Sequence, residues 1–547
     1  MRLNVRHISD KTFTVLSSAS VILLTVVLFI ILAPMLWHGS KAVFFKGTIE
    51  FRRMQRDMHG RGNLGKLDEE IAESQKLRVA VYEKIQSFKK GLDTEALTAQ
   101  AKQIYRRFGQ ELRYKEIEGQ EYHELRGLAR AIRDALISAF ESSDKKHIKE
   151  LINDVMQHSQ KEQFKDTVAE KFFALAVQFQ ESVDKVDLSK RWQYTESVKE
   201  IEDILFRSDD NPGLFGPRPD EPLPALTMLR YGATRWDRAK KLLDDLLWDE
   251  QWVAKQAGEP LVKVRVERAE QFTGTELEGL FEFVQSNVEQ ILRPKPTFYW
   301  QYFIDGSTPG HYFGGVGPEI LGTLLLTILA MVFVFPLGVI SAAYLVECAS
   351  DNLAVRIIRL CINTLAGVPS IVFGLFGLAF FVLYFLPLIG APSKACMLAA
   401  SMTLAVLTLP VMIRASEEAI RTVPRTYKEA SLGLGASALR TFVSVTLPAA
   451  LPGILTGTIL SLSRVAGETA PILFTGAIAF GPLPKSLFDP TRTLSYGSYD
   501  IAVGDRLAMM VPHQQYGMVV TLVLLVLCLN TAAIIIRSRI SRKLRGQ

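Results

Sequence analysis

Apolar residues fall along the chain in two blocks with a long polar stretch between them. Residues 14–37 carry no charged side chain, the polar stretch opens at His38, and long apolar runs return only at Ile320. A membrane helix needs about 20 mostly apolar residues to cross roughly 30 Å of hydrocarbon. Six segments meet or approach that length: 15–37, 320–346, 358–386, 395–413, 451–480 and 518–536. The third and fifth are long and contain Gly and Pro, so tilt, kinks or partly re-entrant backbone are expected there.

The polar stretch has helical periodicity of its own. Leu125, Leu128, Ile132, Leu136 and Phe140 recur at three and four residues, as do Phe164, Val168, Phe172, Leu175 and Phe179. Each set marks one helical face that must bury against something. Residues 209–213 and 217–224 are rich in Asp, Pro and Gly and predict a division into a longer helical part and a smaller mixed part. Residues 261–270, where Val262, Val264 and Val266 alternate with Lys263, Arg265 and Glu267, form the best strand candidate. No sustained heptad supports a coiled coil. His123, His147 and His158 are isolated at separations that give no zinc motif, and solvated helix-face histidines account for them. Three roles stay open for this region: a spacer or cap, a contact for a soluble partner, or a sensor.

The average composition, 48% hydrophobic with 22% charged, conceals these two materials. The net charge of +6 would suit a nucleic-acid binder, but the basic residues cluster beside apolar spans. Arg2, Arg6 and Lys11 precede the first, and Arg537, Arg539, Arg542, Lys543 and Arg545 follow the last. That is the positive-inside pattern and not a groove for DNA or RNA. Both termini are therefore expected in the cytoplasm, with residues 38–318 outside and Arg414, Arg421, Arg425, Lys428 and Arg440 at inner ends. The inner loop around Asp351, Arg356 and Arg359 fits the same alternation. The first apolar segment is long for a signal peptide and lacks a small-x-small cleavage site, so it is expected to stay as an uncleaved helix. Cys348, Cys361, Cys396 and Cys528 all lie outside the polar stretch, which excludes a disulfide scaffold there.

Arg464 and Glu468 stand four residues apart within the otherwise lipid-compatible segment 451–480. Charges deep in a bilayer are costly unless they face protein or water, so they mark transport paths by default. At this spacing on a helix the two partly neutralise each other, leaving a guanidinium able to meet an anion. The rival reading is a static pair that ties this helix to a partner subunit. Near the start of the third segment, Pro369 and the glycines Gly367, Gly374 and Gly377 allow close approach or unwinding. Ser370 and Asn363 there either add polar groups to a path or belong to a packing kink.

The inner segment 414–440 predicts a short amphipathic helix entered through Pro424 and closed by a turn at Gly435. Glu429, Ala430, Ser431 and Gly435, followed by Val445, Leu447 and Pro448, resemble the EAA loop of ABC importer permeases, the coupling helix that docks into the ATPase. Ser431 and Val445 are small departures from the usual Ala and Ile. More narrowly the chain resembles the PstA family of phosphate permeases over about 313–536. The strings that carry this are 313–316, Gly322-Thr323, 365–374 and 463–471, the last reading Ser-Arg-Val-Ala-Gly-Glu-Thr-Ala-Pro. The large outer insertion departs from that family, whose ordinary members have a short loop there.

This resemblance implies an all-α membrane protein with six transmembrane helices of the ABC importer permease type and a large, mainly helical extracytoplasmic domain after the first helix. The expected division is 1–37, 38–318 and 319–547, with the coupling loop at 414–450. Implied partners are a second PstC-like permease, a PstB-like ATPase dimer, a periplasmic PstS-like phosphate-binding protein, and membrane lipid. The implied path residues are Arg464, Glu468, Ser370 and Asn363; the implied ATPase contacts are Glu429, Ala430, Ser431, Gly435, Leu447 and Pro448. The location expected is the inner membrane. No Gly-x-x-x-x-Gly-Lys-[Ser/Thr] occurs, so ATP would be used by the partner and no cofactor is expected in this chain. Neither Gly-x-Ser-x-Gly, His-Glu-x-x-His nor Cys-x-x-Cys is present to support an enzyme. A guanidinium with several fixed donors suits transient capture of phosphate oxygens. Rival readings are a permease for another oxyanion and a membrane sensor or scaffold built on the outer domain; a secondary transporter fits poorly without an evident inverted repeat.

Overall fold

The computed structural model describes residues 2–62, 64–185, 191–208, 212–253, 262–350, 352–504 and 511–544. Asp351, Leu261, Arg545 and residues 209–211 of the first linker signal lie outside the described residues. Two compact units are present, one made of Met1–Phe45 with Thr297–Gln547 and one of Lys46–Pro296.

Among the described residues of the first unit six helices are long and apolar enough to cross a membrane: Thr12–Ser40, Gly317–Cys348, Ser370–Leu388, Met397–Arg421, Ala438–Gly467 and Pro512–Lys543. The fourth is the central post. Its Leu404 and Ala400 pack with Leu326 and Ala330 of the second span, and its Met412, Ala419 and Ile420 pack with Val334, Ala450 and Ile454 of the second and fifth. Hydroxyls inside these helices bond back along their own chain. Thr323 donates to Glu319 O, Thr327 to Thr323 O and Thr408 to Leu404 O, each at 2.7 Å. These three donors are thereby satisfied in an apolar medium. The first span instead leaves Phe13, Leu24 and Phe29 exposed, as lipid contact requires. Where the chain leaves and re-enters this unit the crossings are adjacent: the Tyr299 amide donates to Val43 O at 2.8 Å and Phe44 stacks on Phe298.

The third and fifth segments differ from the expected continuous spans. Leu353–Leu365 is a separate helix, and the span proper starts at Ser370 after a turn through Gly367-Val368-Pro369. Proline removes a donor and holds the preceding residue extended, which ends one helix and lets the next begin. The fifth helix stops at Gly467, Glu468 is extended at φ −75° and ψ 136°, and a short helix Ala470–Thr475 follows. Segment 451–480 is therefore broken next to its charge pair.

Among its described residues the Lys46–Pro296 unit holds two hydrophobic cores. One joins Val81, Ile85 and Phe88 of helix Leu64–Leu92 to Val198, Ile201 and Leu205 of Arg191–Leu205 and to Leu280, Val284 and Ile291 of Glu278–Leu292. The other is lined by Phe108, Ile132, Phe140, Ile152, Phe172 and Phe179 from four helices between Thr94 and Lys185. The expected division at 209–224 is not where the cores separate. The Leu214 and Phe215 amides donate to Ile204 O and Leu205 O, folding that segment back onto the first core. The second set of periodic apolar residues also spans more than one element: Phe164 is buried from a turn at Glu162–Phe164, and the helix begins only at Glu170. The strand expected at 261–270 is Val262–Glu267, paired antiparallel with Trp248–Val253.

Candidate functional site

Arg464 lies in the last turn of the fifth helix, with its Nε 3.5 Å from Glu468 Oε1 just past the helix end. A cation beside the carbonyl end of a helix gains about 0.3–1 kcal/mol from the helix dipole. The side chains are 34% and 19% exposed, so the pair is neither sealed nor in bulk solvent. One turn earlier Ser461 Oγ reaches Met412 Sδ at 4.0 Å, and Thr458 Oγ1 reaches the same sulfur at 3.9 Å. Met412 stands within the fourth span, well away from both its ends. The charge pair is thus at a chain break alongside the interior of the central helix.

Neighbouring polar groups surround the break. Ser463 Oγ contacts Asn530 Oδ1 of the sixth span at 2.8 Å and Ile459 O at 3.0 Å. A serine hydroxyl has a single proton, so it donates to one oxygen at a time unless the Asn530 amide is turned to present its nitrogen. On the other side Ser495 Oγ donates to Glu468 O at 3.1 Å. Asn530 was not singled out in the sequence; one amide in the apolar run 518–536 is the signal that could have found it.

Of the other path residues, Ser370 starts the third span, half-buried in its first turn. That helix meets the chain just after the charge pair: a Cβ at Gly374 would sit 2.9 Å from Ala470 O, so only glycine permits the contact. Asn363 is instead on the separate helix Leu353–Leu365, where its Oδ1 accepts from Arg414 Nε at 2.7 Å. Arg414 was read only as an inner-end charge.

Helix Arg425–Gly433 begins after Pro424 and buries no side chain. Glu429 and Ala430 are exposed on it, Ser431 is half-buried, and Gly435 follows at φ +86°, a left-handed conformation that favours glycine. Leu447 and Pro448 form the first turn of the helix that carries Arg464.

A second Arg–Glu pair lies near the outer end of the second span. Glu319, in that helix's first turn, is bound by Arg492 Nη2, which also donates to Ser307. Arg492 and Glu319 are 7% and 1% exposed. The Leu494 amide next door donates to Thr323 Oγ1 at 2.9 Å. With 173 positions between the two charges, nothing in the linear pattern joins them.

Among the described residues no cluster of His, Cys, Asp or Glu is arranged to hold a metal.

Residues 334–546 match the family model described as binding-protein-dependent transport system inner membrane component. The chain is 32% identical over 283 residues to a probable ABC transporter permease protein, YqgI, of Bacillus subtilis, covering 49% of this chain and 91% of that one. It is 33% identical over 260 residues to the phosphate transport system permease protein PstA 1 of Mycobacterium tuberculosis, covering 45% of this chain and 77% of that one. Against a solved chain of the MetNI methionine ABC transporter it has 21% identity and a TM-score of 0.33, covering 41% of this chain and 95% of that one.

Proposed function

The chain belongs to the family of binding-protein-dependent transport system inner membrane components, the permease subunits of ABC transporters, and from that premise we propose that it moves inorganic phosphate inward across the inner membrane. A permease subunit does not itself hydrolyse ATP. The observation that carries the phosphate reading is the partly exposed Arg464–Glu468 pair at the break after the fifth helix. Broken membrane helices line substrate sites in many transporters, because freed backbone groups need a polar partner. A guanidinium there offers phosphate oxygens several charge-assisted hydrogen bonds, and Glu468 limits how long the anion stays. The M. tuberculosis relative named as a phosphate permease supports the same cargo.

In this reading both termini are cytoplasmic and the Lys46–Pro296 unit is periplasmic. A second, related permease completes the path facing Arg464, with Ser370 and Asn363 further along it. A soluble phosphate-binding protein delivers the anion. An ATPase dimer presses on Arg425–Gly433 around Glu429, Ala430 and Ser431, and the turn at Gly435 with Leu447 and Pro448 passes the displacement into the fifth helix. The outer unit is an accessory to this cycle.

Uptake by the reconstituted complex, compared for phosphate, sulfate and molybdate, tests the cargo. Phosphate is expected to be taken up and to stimulate ATP hydrolysis. Stimulation by sulfate and not by phosphate would overturn the assignment while leaving the family untouched.

A further inference from the structure

Helix Arg425–Gly433 presents no buried side chain, yet two polar links fix it to different spans. Lys428 Nζ pairs with Glu347 Oε1, the two side chains being only 19% and 26% exposed. Ser431 Oγ lies 2.9 Å from Thr441 Oγ1, and Thr441 is buried. Both links end at the same kind of structure. Glu347 is in a single π-helical turn, Tyr344–Cys348, that closes the second span. Thr441 directly precedes another, Phe442–Thr446, that opens onto the fifth helix. Arg359 from the separate helix also donates to Leu345 O, at 2.9 Å, within the first of these turns.

A π turn carries one residue more per hydrogen-bonded ring than an α turn. Converting it to an α turn shifts the attached helix by about 1.5 Å and turns it by about 100°. A side chain held in such a turn therefore converts a sideways pull into rotation and translation of the span it terminates. The fifth helix carries Arg464 in its last turn, and the second packs against the central fourth.

We propose that the Lys428–Glu347 pair is the positioning link that carries displacement of the ATPase-contacting helix into the second span, in parallel with a Ser431–Thr441 link into the fifth. It rests on the reading of Arg425–Gly433 as the ATPase contact, and it adds a second output to that contact. Neither Lys428 nor Glu347 touches the transported ion; they act through the helix they join. A pair this enclosed loses more from removal of one partner than an exposed surface pair would. Reversing both charges preserves the attraction.

The test uses the full complex in proteoliposomes with Glu347→Lys, Lys428→Glu and the double exchange, reading uptake per ATP hydrolysed and the amount of ATPase that co-purifies. Each single variant should keep the ATPase bound and hydrolysing while uptake per ATP falls about tenfold, and the exchange should recover to within about threefold of the parent. Unchanged uptake per ATP in both single variants would overturn the link. So would an exchange as poor as the single variants, or loss of the ATPase from all three, since those results describe a purely structural or docking role. Failure of the docking reading shows itself separately, as full ATPase capture and full uptake by Glu429→Lys. A parent complex that carries another oxyanion sinks only the cargo, and the same ratio is then read on that ion.

Discussion

Among the arginine–glutamate pairs of the membrane unit, two live in opposite surroundings. Arg492 and Glu319 are sealed by an outer segment against the start of the second span, at 7% and 1% exposure. Arg464 and Glu468 sit at a break in the fifth, looser at 3.5 Å and with a third of the arginine side chain exposed. Burying both members of an ion pair makes each indispensable to the other, because removing one strands a charge in low dielectric. A half-open pair keeps its guanidinium available to a third party. On the function proposed above, the same two kinds of side chain serve as a lock in one place and as a receptor in the other, with enclosure as the difference.

The largest effect that would break or sharpen this contrast is on transport. Arg464→Ala should lower phosphate uptake by about a hundredfold or more while the complex assembles and melts like the parent. Normal uptake in that variant would remove the receptor role. Arg492→Ala should act oppositely, costing about 3–5 kcal/mol of stability by leaving Glu319 buried without a counter-charge. A lower melting temperature in detergent would register it, and Arg492→Gln combined with Glu319→Gln should recover part of the loss. An unchanged melting curve would show that enclosure does not separate the two pairs.

Smaller again is Glu429→Lys. Its side chain is exposed, so folding should be spared, and ATPase recovered with the complex should fall about tenfold.

The smallest effect on transport is expected from Glu50→Gln in the Lys46–Pro296 unit. Burial alone would raise the Glu50 pKa, but the guanidiniums of Arg78 and Arg53 and the Gly232 amide outweigh it and hold the carboxyl below its ordinary range. A depressed folded-state value contributes stability that is present above the unfolded value and lost as pH falls through the folded one. Hydrogen exchange in helix Ile49–His59, corrected for intrinsic rates, should therefore show the parent more protected than Glu50→Gln at neutral pH, with the gap closing in acid. Uptake should not change. A gap that persists unchanged into acid would contradict the charge account.

The spans were legible because about 20 apolar residues in a row have few other uses. Six were expected and six are present among the described residues, with the large mainly helical region after the first. Breaks were legible only as a tendency. Pro369 and Gly467 announce them, but whether an apolar run with Gly and Pro kinks or stops depends on what packs beside it, here Ala470 against Gly374. The helical faces of the insertion were readable, since Leu125, Ile132, Leu136 and Phe140 are all buried. The linker signal at 212–224 misled because turn residues also serve a segment that folds back on its own core. For the candidate site, Arg464 and Glu468 stood out as charges where lipid-compatible residues surround them. Asn363 was found for its polarity, but its engagement with Arg414 depends on a helix break, and Arg492 meets Glu319 only through the tertiary fold.

The most direct measurement is accessibility at position 464. In a complex whose four native cysteines are replaced by serine, Arg464→Cys is treated with a small charged thiol reagent, with and without phosphate and ATP. The account predicts modification from the aqueous phase, slowed by phosphate and altered by ATP. A thiol that reacts only with lipid-soluble reagents, or one that phosphate never protects, would contradict it.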